Sequence, residues 1–60
     1  MKVETSCKSV EVKYNDMETE IEYFCDFMSL DDDRLYICKK GQISHVIYTK
    51  YIVSIFIRRV

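Results

Sequence analysis

Met17-Glu18-Thr19-Glu20-Ile21-Glu22-Tyr23-Phe24-Cys25-Asp26-Phe27-Met28 carries two periods at once, and the fold class turns on which prevails. Read in steps of two, Thr19, Ile21, Tyr23, Cys25 and Phe27 share one face and Glu18, Glu20 and Glu22 the other, as on a half-buried strand. Read at helical spacing, Met17, Ile21, Phe24 and Met28 align, with Asn15 and Glu18 spaced as a capping box. The inward positions of the strand are dominated by Thr, Ile, Tyr and Phe, which suit a pleated surface. A strand is therefore preferred, and an α+β fold with a helix at about 16–29 is the alternative.

Composition points the same way. Val, Ile and Thr supply 16 of the 60 residues and Phe plus Tyr another 8, while Ala is absent and Leu occurs twice. The strongest helix formers are thus nearly missing. Hydrophobic residues at 48% and charged ones at 32% exclude a disordered chain. Residues 1–60 make one small domain, which buries only about 60% of its unfolded surface and so needs help from oligomerisation, disulfides or a metal.

Outward from the ambiguous stretch the pattern is clearer. Val10, Val12 and Tyr14 alternate with Glu11 and Lys13, and Asn15-Asp16 signals a turn. Asp31-Asp32-Asp33 forms an acidic turn before a short strand, Leu35–Cys38. Lys39-Lys40-Gly41-Gln42 reads as a hairpin loop, with Gly41, the sole glycine, suited to positive φ. Ile43–Tyr48 and Tyr51–Ile57 follow as strands, separated by Thr49-Lys50. Five strands with short connections predict an all-β fold: a small five-stranded SH3-type barrel made from a strongly bent antiparallel sheet.

The last strand is apolar on both faces. Tyr51, Val53, Ile55 and Ile57 lie on one side, and Ile52 and Phe56 flank Ser54 on the other. Its second face is expected to meet another chain through edge pairing, so Ile52, Val53, Ile55, Phe56 and Ile57 form a candidate subunit interface of a homo-oligomer. Cover by the N-terminal segment of the same barrel is the alternative.

Charge is divided along the chain. Residues 1–33 hold three lysines against ten acids, whereas residues 34–60 hold Arg34, Lys39, Lys40, Lys50, Arg58 and Arg59 and no acid. The halves either neutralise one another across strands, or present a basic face to a phosphate backbone and an acidic face to a basic neighbour.

Ile43-Ser44-His45-Val46-Ile47-Tyr48-Thr49-Lys50-Tyr51-Ile52-Val53-Ser54-Ile55 resembles the closing strand–turn–strand of the Sm/LSm family of SH3-type barrels, in its Hfq-like branch. Met28-Ser29-Leu30-Asp31 and Leu35-Tyr36-Ile37 resemble the bend between that family's second and third strands. The resemblance spans roughly residues 17–57. Tyr48 matches the tyrosine of the family's Tyr-Lys-His turn, Thr49 and Lys50 stand at the lysine and histidine, and the family's N-terminal helix has no counterpart in residues 1–9. It implies a ring in which the fourth strand of one subunit pairs with the fifth of the next, with single-stranded RNA bound near the pore. Tyr48 would stack on a base and Lys50 would contact phosphate, with Arg58 and Arg59 as further basic candidates.

Chemistry elsewhere is sparse. Three adjacent aspartates point in different directions, so Asp31, Asp32 and Asp33 read as a solvated turn rather than a cation site. His45, Cys25 and Cys38 lack zinc-ligand spacing, and His45 is expected to be half-buried beside Ile43 and Ile47. Ser44 and His45, as strand neighbours, are expected to face opposite ways and to form no catalytic pair. No nucleophile elbow, phosphate loop or dinucleotide fingerprint occurs. The expectation is a non-enzyme without cofactor or metal. Cys7, Cys25 and Cys38 are expected to be free, inert thiols, and with neither signal peptide nor membrane span the chain reads as cytoplasmic. The leading functional expectation is a homo-oligomer that binds single-stranded RNA, its size fitting a phage or mobile-element origin. The alternative is a small interaction or inhibitor module offering its acidic N-terminal half to a basic protein partner.

Overall fold

The computed structural model describes residues 2–60. In chain order it contains β1 (Val3–Ser6), β2 (Ser9–Tyr14), β3 (Ile21–Phe24), β4 (Phe27–Leu30), β5 (Arg34–Lys39), β6 (Gln42–Tyr48), a 3₁₀ turn (Thr49–Tyr51) and β7 (Ile52–Arg58). All strand pairs are antiparallel, in a four-stranded sheet ordered β1-β4-β5-β6 and a three-stranded sheet ordered β3-β2-β7. The all-β expectation holds, but the strands number seven rather than five and the sheets do not close into a barrel.

The stretch from Met17 to Met28 contains no helix, which removes the helix alternative at 16–29. It does not form one strand, however. Met17–Glu20 lies in the turn region, and the rest divides into β3 and β4 at Cys25-Asp26. β1 and β2 are separated in the same way at Cys7-Lys8, and the two breaks lie side by side. The Cys7 N–H donates to the Asp26 carbonyl at 3.2 Å and the Cys25 N–H to the Lys8 carbonyl at 3.1 Å. Pairing therefore runs on through the corner, from β1·β4 in one sheet to β3·β2 in the other. The bend also shifts the inward phase. Ile21, Tyr23 and Cys25 face in before it, and Met28 and Leu30 after it. Of the residues that align at helical spacing, only Ile21 and Met28 share this inward row, while Met17 and Phe24 are exposed.

Two β-bulges move the phase again. Ile37 pairs with His45 but Cys38 with Ile43, leaving Ser44 as an extra residue in β6. Lys13 pairs with Ser54 but Tyr14 with Ile52, leaving Val53 extra in β7. The β5–β6 loop is the two-residue turn Lys40-Gly41, with φ of 55° and 76°, matching the twist that hairpin strands require. Asp26 Oδ2 accepts the Lys40 N–H at 2.9 Å and ties this loop to the corner.

Between the sheets lies one core of Cys7, Val10, Val12, Cys25, Met28, Leu35, Ile37 and Ile47. Tyr14, Tyr23, Leu30, Ile52, Ile55 and Ile57 pack around it. The Tyr14 and Tyr23 hydroxyls share a 2.6 Å hydrogen bond. Among the described residues, no helix is long and apolar enough to cross a membrane.

Candidate nucleic-acid interface

Tyr48 closes β6 directly opposite Arg34, the first residue of β5. Both point to the outer face of the four-stranded sheet, because their neighbours Ile47 and Leu35 face the core. The Arg34 guanidinium lies 5.5 Å from the centre of the Tyr48 ring, within the range of a cation–π contact. Its Nη1 also lies 3.5 Å from the hydroxyl of Tyr36, so the cation sits between two tyrosines.

The following turn is anchored on both sides. The Thr49 N–H donates to the Asp33 carbonyl at 2.8 Å and its hydroxyl to the Asp32 carbonyl at 3.1 Å. The Asn15 N–H donates to the Tyr51 carbonyl at 2.9 Å and its side-chain amide to the Lys50 carbonyl at 3.2 Å. Pinning both ends sets Lys50 beside Tyr48, with Lys50 Nζ 5.1 Å from the Tyr51 ring. Asp33, Arg34, Tyr48, Thr49 and Lys50 line an open cleft of about 220 Å³. That is below the 300–1,000 Å³ of ordinary small-molecule pockets and suits one planar group. Tyr48 stays 48% exposed, so its ring can still be stacked upon.

The expected RNA-binding residues are not gathered in one place. Tyr48 and Lys50 meet in the cleft, but Arg58 and Arg59 lie at the other end of β7, about 20 Å away at strand rise. Arg58 is engaged there by Glu22 at 3.3 Å and Glu11 at 3.6 Å, and Ser9 donates to the same Glu22 oxygen at 2.6 Å. This is the cross-strand neutralisation of acidic and basic halves, at the Arg58 end of β7. Arg34 was not among the expected site residues, yet it is the cation closest to Tyr48. Counting back from Lys40-Gly41 would set Asp33 opposite Tyr48, and the Ser44 bulge moves the register by one to bring Arg34 there instead.

The candidate interface on β7 is divided by the Val53 bulge. Ile52, Ile55 and Ile57 turn inward against the core, while Val53 and Phe56 are each 61% exposed. The two-sided apolar pattern is thus largely one inward row interrupted by an extra residue. The second face of β7 is not covered by the N-terminal segment, since Val53 and Phe56 stay exposed.

Three further expectations meet the structure here. Asp31 Oδ1 accepts the N–H groups of Arg34 at 2.8 Å and Asp33 at 3.0 Å, and these bonds hold its carboxyl below the usual range. The aspartates therefore build the turn that leads into Arg34. His45 is exposed on the edge of β6 rather than half-buried, with its ring 4.7 Å from that of Tyr23. Ser44 and His45 do not face opposite ways, because the bulge breaks alternation and brings Ser44 Oγ within 2.8 Å of His45 Nδ1.

Compared with known proteins, the chain matches no family model, no curated protein and no solved structure.

Proposed function

We propose that this protein is a non-enzymatic, Sm-like β-domain that self-associates in the cytoplasm and binds single-stranded RNA at the Arg34–Tyr48–Lys50 cleft. The observation that carries the reading is an exposed tyrosine ring with the Arg34 cation over it and Lys50 lining the same cleft, on an anchored turn. Base stacking on such a ring tolerates any sequence, and the adjacent cations meet the phosphates. Self-association is supported by β6 and β7, each of which pairs with a single strand and so leaves an edge of backbone groups open. Exposed Val53 and Phe56 on β7 would be covered by such pairing.

Fluorescence anisotropy with short A-rich and U-rich RNA at two salt concentrations tests the site. Tyr48→Ala is expected to cost about 1–3 kcal/mol per stacked base. Arg34→Ala and Lys50→Ala are each expected to weaken binding and to flatten the salt dependence by about one unit of slope. Wild type that fails to bind at low salt overturns the reading. The interaction-module alternative then leads, supported by the exposed acids Asp16, Glu18 and Glu20 in the acidic 16–33 region.

A further inference from the structure

We infer that Cys7 and Cys25 form a built-in site for an intramolecular disulfide at the corner where the two sheets meet. Both thiols are buried, and their Sγ atoms lie 3.3 Å apart. Closing to the 2.05 Å bond length requires roughly a further 1.3 Å, within the reach of small side-chain rotations. The backbones are already held together by the Cys7–Asp26 and Cys25–Lys8 hydrogen bonds, which flank the pair across the two bends. Cys38 is the comparison within the same chain: it is only half-buried and its Sγ contacts neither thiol in this way.

The reaction is a two-step exchange with a small disulfide such as oxidised glutathione. Cys25, the less buried of the two, loses its proton and attacks one glutathione sulfur. A mixed disulfide forms and one glutathione thiolate leaves. Cys7 then loses its proton and displaces the second glutathione, giving the Cys7–Cys25 bond. The protein gives up two electrons and two protons, and one oxidised glutathione becomes two reduced ones. Burial pushes the Cys7 thiol up to about 12, so the closing step, in which Cys7 attacks, is slow at neutral pH and speeds up as the medium becomes alkaline. The product ties the β1–β2 bend to the β3–β4 bend, as disulfides do in small secreted domains.

The folded wild-type protein is incubated with oxidised glutathione at mildly alkaline pH, alkylated and digested with trypsin without reductant. Cleavage separates Cys7 (Val3–Lys8), Cys25 (Tyr14–Arg34) and Cys38 (Leu35–Lys39). The expected product is the cross-linked pair of the first two peptides, with Cys38 either alkylated or carrying glutathione, and a melting temperature raised by about 10 °C that dithiothreitol reverses. Cys38→Ser keeps both effects, and Cys25→Ser loses them. Neither Cys7 nor Cys25 oxidised after treatment, or a protein disulfide that joins Cys38 to one of them, overturns the inference.

Discussion

Lys40 holds φ 55° in a position that Asn or Gly would occupy at less cost, and its side chain gives nothing to the turn that its backbone does not already supply. Lys40→Asn keeps the N–H that Asp26 accepts and is expected to stabilise the fold by about 0.5–1 kcal/mol, read as a higher urea midpoint. Cys7 sets an alkaline limit on stability. Burial first, then its contact with Cys25, moves its thiol from the ordinary 9.0 up to about 12. Between these values the unfolded chain releases a proton that the folded chain keeps, so the contribution is intact below pH 9.0 and declines above it. Tyr14 acts in the same direction, because burial and the Tyr23 hydroxyl disfavour its phenolate. Urea midpoints measured under reductant should be flat up to about pH 9 and then fall. Cys7→Ala should lessen that fall.

At the scale of elements, the bulges decide which side chains face the core. In β7, strict alternation would turn Phe56 inward with Ile52, but the extra Val53 places Ile52, Ile55 and Ile57 on the inner row. Ile55→Lys should therefore cost about 2–5 kcal/mol and unfold much of so small a domain. Phe56→Lys should leave monomer stability within about 0.5 kcal/mol while lowering any association seen by light scattering. Equal destabilisation by the two variants would contradict the inward row. Strand type, the Lys40-Gly41 turn and the apolar identity of β7 were legible in the sequence, because each is set by local propensity or by period. The phase shifts at Cys25-Asp26, Ser44 and Val53 were not, since a bulge or bend is fixed by the partner strand and leaves no mark in its own residues. The same blindness hid Arg34 from the candidate site: its place beside Tyr48 depends on the Ser44 bulge in β6, ten positions further along the chain. Tyr48 and Lys50 could be read because they are neighbours in one turn.

At the scale of the whole molecule, the corner makes two sheets out of one long bent hairpin, β1–β2 against β3–β4, and only β7 returns to join the distant ends. The four outer strands, β1 and β6 in one sheet and β3 and β7 in the other, leave unlike edges. Pairing of unlike edges between copies is heterologous, so it closes into a ring or runs on as a filament according to the angle between subunits. Light scattering at micromolar concentration should give a defined multiple of the monomer mass, and a stable monomer there would remove the self-association reading. The β2·β7 pairing also has a consequence in time. Ser9 meets Arg58 and Tyr14 meets Ile52, so the β2·β7 half of the smaller sheet waits for residues roughly forty to fifty positions later in the chain. Contacts so remote in sequence place refolding in the millisecond-to-second range of non-local β topologies. During translation Val10 and Val12 have no complete sheet around them until Ile52–Arg58 emerges, and through that interval the nascent chain carries an uncovered strand edge and an unfinished apolar layer, the window in which it is most exposed to chaperones and to aggregation.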